Sequence, residues 1–214
     1  MATVLNPPQA ATPAEERFIL RGVNWETYEQ LLANYLDSSG PRFAYDRGAL
    51  EIMSPSSEHE EVTEIITQLV YILAEEWGFE YRNFGRTTFK RRETEGGFEP
   101  DSCFYIQSVE ALGGVRRLDP AVHPPPDVVI EVDMSSTSLK KFPVYARMNV
   151  PEVWRYTGKK VSISLLRDGG YVESQVSAAI PRLNSSDLFE LIEQSKMMKR
   201  SAWIRFVRQW AKSH

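Results

Sequence analysis

The stretch Phe98-Glu99-Pro100-Asp101-Ser102-Cys103-Phe104-Tyr105-Ile106, answered by Pro126-Asp127-Val128-Val129-Ile130-Glu131-Val132-Asp133, decides how this chain folds. Short apolar runs of this kind read as strands, and the second is apolar at nearly every position, the mark of a strand covered on both faces. Glu131 lies inside that run. A carboxylate buried there must be paired, protonated or bound to a metal, because an isolated buried charge is too costly. Asp101 and Asp127 each follow a proline, where Asp also serves as an ordinary turn residue.

Outward from this pair, strands are predicted over 79–92, 98–106 and 128–133, forming the centre of a sheet. Shorter ones over 153–156, 161–166 and 171–176 continue it through turns at Gly158 and Asp168-Gly169-Gly170. Towards the N-terminus, Asn24 can cap a helix over 25–36, whose Tyr28, Leu31, Leu32 and Tyr35 recur at three and four residues. A hairpin follows, turning at Asp46-Arg47-Gly48. The strongest helix signal spans 57–77, with Val62, Ile65, Ile66, Leu69, Val70, Leu73 and Trp77 on one face, Ser57 and Glu60 at capping-box spacing and Gly78 as the stop. A short helix is expected over 142–148 with Pro143 in its first turn, and 112–126 reads as a surface loop. The class is α/β in the α+β sense, a mixed sheet flanked by helices.

Residues 1–16 carry no periodic apolar pattern and read as a flexible tail, 17–195 as a single domain. In 196–214, the cations Lys196, Lys199, Arg200, Arg205, Arg208 and Lys212 accompany an apolar stripe of Trp203, Phe206, Val207 and Trp210. This is a basic amphipathic helix, for which packing on the parent domain is the commonest fate and contact with a phosphate backbone the second. With 42% hydrophobic and 25% charged residues in 214, one ordinary core is expected. The net charge of -4 means that a polyanion must be held by a local basic patch. Cys103 is the only cysteine, which excludes a disulfide framework and fits a reduced, cytoplasmic setting. No run approaches the roughly 18 to 20 apolar residues of a membrane span, and no export signal opens the chain.

Two acidic side chains at the ends of adjacent strands offer a site for a hard divalent cation. Mg2+ prefers oxygen ligands and keeps several waters, so Asp101, Glu131 and a carbonyl or substrate phosphate suffice. Such a metal polarises a phosphoryl oxygen and generates hydroxide, and Lys141 or Lys140 is near enough in sequence to steady the developing charge.

Six segments together resemble the Uma2 family, which is abundant in cyanobacteria and belongs to the PD-(D/E)XK restriction-endonuclease-like superfamily. They are Glu51-Ile-Met-Ser-Pro-Ser-Ser-Glu-His59, Phe84-Gly85-Arg-Thr-Thr-Phe89, Glu99-Pro-Asp101, Pro126-Asp127-Val-Val-Ile-Glu131-Val-Asp133, Lys141-Phe-Pro-Val-Tyr145 and Val150-Pro-Glu-Val-Trp154-Arg-Tyr156. The resemblance implies a restriction-endonuclease-like core, a Mg2+ (or Mn2+) dependent endonuclease site acting on DNA, and a homodimer. Asp101 and Glu131 match the two acidic motif positions. The third, usually lysine, is Asp133 here, which can serve as an added metal ligand. Lys141, four residues before Tyr145, can take the lysine's place, and Lys90 is a second candidate. His59 matches the family's histidine at the start of the long helix. Beside it Glu60 can complete a metal shell, although acidic residues at a helix N-terminus are favoured by the macrodipole alone. Arg86, Lys90 and Lys140 are candidate contacts to nucleic acid. The competing reading, supported by the displaced lysine, is a nuclease fold without catalysis, acting as a nucleic-acid-binding or protein-interaction module.

Overall fold

The computed structural model describes residues 15–35, 40–134 and 139–214. The chain enters through β1 (Glu16–Arg21), a strand that the sequence reading assigned in part to a tail. The rest of that expected tail, residues 1–14, lies outside the described residues, as does the expected last residue of the first helix, Leu36. That helix, α1 (Trp25–Asn34), is capped as expected: the Asn24 side chain accepts a hydrogen bond from the Thr27 amide at 2.8 Å. The hairpin of β2 (Arg42–Asp46) and β3 (Ala49–Ser54) turns on Arg47 and Gly48, both with positive φ, 45° and 88°. Two consecutive positive φ values give the twist that antiparallel strands need from a two-residue turn.

Helix α2 (Ser57–Trp77) ends at Gly78 in the left-handed conformation, but its cap is Ser56, one residue before the expected Ser57, accepting from the His59 amide. Two of the expected strands are each divided between two sheets. In place of 79–92 there are β4 (Arg82–Asn83) and β5 (Phe89–Arg91), and in place of 98–106 there are β6 (Gly96–Phe98) and β7 (Ser102–Tyr105). Between β6 and β7, Pro100 has no amide hydrogen to offer a ladder, and the chain changes sheets there. There follow β8 (Val128–Val132), α3 (Phe142–Arg147), β9 (Glu152–Tyr156), β10 (Val161–Arg167) and β11 (Gly170–Ser174). Two helices close the chain, α4 (Ser185–Met197), which the sequence reading did not identify, and α5 (Arg200–Ser213).

One sheet, ordered β1-β3-β2-β6-β5, is antiparallel, and the other, β11-β10-β9-β8-β7-β4, is mixed because β8 and β9 run parallel. The expected mixed sheet flanked by helices is therefore present, with β8 and β9 at its middle. It is joined by a second sheet that the sequence reading had merged with it. Alternation along β8 assigns its side chains to two cores. Val128, Ile130 and Val132 pack with the apolar face of α2, whereas Val129 joins Val144, Tyr145 and Val153 on the α3 side. Helix α5 buries Trp203, Val207 and Ala211 in the α2 core, and Arg208 pairs with Glu75 and Glu76 of α2. Those acids face part of the basic side of α5, in keeping with the packing reading. Among the described residues, no helix is long and apolar enough to cross a membrane.

Candidate active site

Ser102 faces Ile130 in the antiparallel β7–β8 register, and continuing that register one residue beyond the end of β7 sets Asp101 opposite Glu131. Directly opposed residues project from the same side of a sheet, here the side covered by α3 and by the second sheet. Asp101 and Glu131 are 3% and 7% exposed. The feature that singled them out in the sequence, acids in apolar strands, has thus brought them together.

Each carboxylate is held by named partners. Asp101 accepts from the Val132 amide at 2.6 Å, lies 3.1 Å from His59 Nε2, and forms an ion pair with Arg42. Glu131 receives Lys141 Nζ at 2.7 Å on one oxygen and the Tyr145 hydroxyl at 2.5 Å on the other. Burial, reinforced by the Glu131 charge, pushes the Tyr145 phenol well above its usual value, so it remains a donor. Burial and the nearby Arg42 and Arg17 charges lower His59 to about 3, leaving its ring neutral near pH 7. Lys141 thus stands where the spacing from Tyr145 suggested, and His59 touches Asp101.

The other candidates have partners of their own. Asp133 pairs with Arg155 and lies 3.7 Å from Arg17. Glu60, nearly half exposed, binds Arg42 at 2.6 Å and stands 3.5 Å from Arg86. Lys90 sits on β5 in the other sheet, paired with Glu29 of α1 at 2.7 Å. Lys140 lines a cavity of about 360 Å³ whose wall also includes Arg17, Glu131, Asp133, Lys141 and Arg155.

Four residues escaped the sequence reading: Arg42, Arg17, Glu51, and Glu15, which was expected in a tail but pairs with Arg17 and lies 3.7 Å from His59 Nε2. Arg42 and Arg17 belong to β2 and β1 of the other sheet, and nothing in their local sequence marks a buried cation. Glu51, 1% exposed, had the same signal as Glu131, a carboxylate within an apolar strand. Among the described residues, no group of three or more His, Cys, Asp or Glu side chains is arranged to hold a metal. The carboxylate pair that could hold a metal is Asp101 and Glu131. Its oxygen chemistry fits Mg2+, which is commonly held by one or two carboxylates together with water and substrate phosphate.

No curated protein matches the chain. Among solved structures, it is similar to a protein titled "putative nuclease belonging to DUF820" from Anabaena variabilis ATCC 29413, with 16% identity and a TM-score of 0.49, covering 75% of this chain and 98% of that one. The family Uma2, described as "Putative restriction endonuclease", matches residues 25–196. This chain, with its paired strand carboxylates, belongs to the Uma2 family.

Proposed function

We propose that the chain is a metal-dependent endonuclease hydrolysing DNA phosphodiester bonds, in which Asp101 and Glu131 hold Mg2+ or Mn2+ and Lys141 is the cationic helper. Membership of a family described as restriction endonucleases supports the nuclease role. The observation that carries the finer reading is the β7–β8 register, whose continuation sets Asp101 opposite Glu131, with Lys141 Nζ 2.7 Å from Glu131. When bound, the metal would polarise a phosphoryl oxygen and acidify a water molecule.

The remaining work falls to side chains of the protein. Tyr145 and the Val132 amide orient the two carboxylates, a preorganisation that costs nothing at the moment of reaction. Lys141 carries a charge that can move from Glu131 to the phosphoryl group as negative charge develops there. On the cavity wall Lys140 supplies a cation for phosphate, beside Arg17 and Arg155, which are engaged by Glu51 and Asp133. A homodimer, implied by the resemblance, belongs to the same proposal.

One observation favours the second reading, an inert nuclease fold that binds nucleic acid. Asp101, Glu131 and Asp133 are already matched by Arg42, Lys141 and Arg155. Nicking of supercoiled plasmid in Mg2+ or Mn2+, beside Asp101→Ala and Glu131→Ala, separates the two. Metal-dependent nicking lost in both variants supports the enzyme. Metal-independent DNA binding with no nicking in any of the three supports the binder.

A further inference from the structure

We propose that Glu51 is a positioning residue that sets Lys141 against Glu131 from the opposite sheet; its catalytic consequence rests on the nuclease reading above. Glu51 lies within β3 and is 1% exposed. Its Oε2 accepts the Leu139 amide at 2.6 Å, and its Oε1 lies 3.3 Å from Arg17 Nη1 and 3.7 Å from Lys141 Nζ. Leu139, Arg17 and Lys141 all belong to the wall of the cavity that contains Glu131, while Glu51 stands behind that wall. Glu51 therefore acts through these neighbours rather than on a substrate.

The segment needs such an anchor. Leu139 and Lys140 lie outside any helix or strand, and Lys141, at the start of α3, makes no side-chain capping bond. A lysine has a flexible four-carbon stem, and one carboxylate fixes only the distance of its ammonium. With Glu131 at 2.7 Å and Glu51 at 3.7 Å, the ammonium is held from two sides, and the amide bond to Leu139 fixes the backbone two residues earlier. Glu51 also brings Arg17 of β1 to the same place, so one buried side chain ties two strands of the antiparallel sheet to the site beside the mixed sheet. A carboxylate serving only the stability of β3 would not need all its partners at this cavity.

Glu51→Gln keeps an oxygen for the Leu139 amide and removes the charge; Glu51→Ala removes both. The test combines metal-dependent nicking kinetics of Glu51→Gln, alone and with Lys141→Ala, with amide hydrogen exchange of both Glu51 variants. Expected are a kcat about tenfold lower for Glu51→Gln with KM unchanged, and no further loss when it is added to Lys141→Ala. In Glu51→Ala the Leu139 amide should exchange at least about tenfold faster while β2 and β3 keep their protection. Independent, multiplying losses in the double variant, or an unchanged Leu139 amide in Glu51→Ala, overturn the proposal. If Glu51→Ala does not fold, Glu51→Gln must retain slow exchange at Leu139 yet loosen the Val144 and Tyr145 amides that bond the Lys141 carbonyl, and unchanged protection at those two overturns it. Should the parent not nick DNA, the nuclease reading fails, and the exchange measurements alone decide whether Glu51 positions the segment.

Discussion

Lys141 Nζ stands 2.7 Å from Glu131 Oε2, and the two side chains are 11% and 9% exposed. A pair this sheltered is costly to break from one side, because the surviving charge is left without compensation. Lys141→Met should destabilise the fold by about 3 kcal/mol in urea unfolding. Adding Glu131→Gln should restore part of that loss, since the stranded charge is then gone. Equal stability of Lys141→Met and the parent would mean that the contact has no energetic role.

Metal binding offers a test that needs no substrate. If Asp101 and Glu131 hold Mg2+, millimolar Mg2+ should raise the unfolding midpoint of the parent, because a ligand that binds only the folded state stabilises it. EDTA should reverse the effect, and neither Asp101→Asn nor Glu131→Gln should respond. A shift of equal size in both variants would locate the metal elsewhere.

His59 gives the fold a pH dependence whose direction is set by its surroundings. Its folded value, lowered by burial and by Arg42 and Arg17, is about 3 against the usual 6.5. Between these values the unfolded chain binds a proton that the folded chain does not, so stability is fully present above about pH 6.5 and declines as pH falls towards 3. In metal-free buffer, His59→Gln should lose less stability than the parent between about pH 7 and about pH 4.5. Parallel losses in parent and variant would contradict the buried, neutral imidazole.

At Gly97 the backbone of β6 passes close to α1. A Cβ there would run into the Tyr28 hydroxyl oxygen and lie 2.8 Å from the ring carbon that bears it. Tyr28 is fully buried and stacked on Tyr45, so it has little room to retreat. Gly97→Ala should therefore cost about 2 kcal/mol or more in urea unfolding. Gly78→Ala, with nothing near its Cβ position and a left-handed φ of 71°, should cost only the strain of a left-handed alanine, about 1 kcal/mol.

Helices α1 and α2 were legible from local periodicity and caps, although α4 was not: Asn24, Gly78 and the stripe from Val62 to Leu73 each act within a few residues of chain. Strand type was legible too, but strand partnership was not. The runs 79–92 and 98–106 each look continuous along the sequence, and only packing shows that the chain changes sheets between β4 and β5 and again at Pro100. β1 was missed because Phe18, Ile19 and Leu20 remain exposed on an edge strand, leaving no buried alternation to detect.

By itself the sequence determined that acids lie in and beside apolar strands, so Asp101 and Glu131 could be named before their neighbours were known. For Glu131 that inference needs only the cost of burying a charge, a property of the residue and its immediate run, whereas Asp101, which follows a proline as a turn residue does, was named from its place at a strand end and in the family motif. Tertiary structure alone decided how that cost is met: by Arg42 for Asp101, by Lys141 and Tyr145 for Glu131, and by Arg17, Lys141 and the Leu139 amide for Glu51. Several of these partners are dozens of residues distant in sequence, and Coulombic attraction and hydrogen bonding act through space over a few ångströms. Their pairing is fixed only when the two sheets meet.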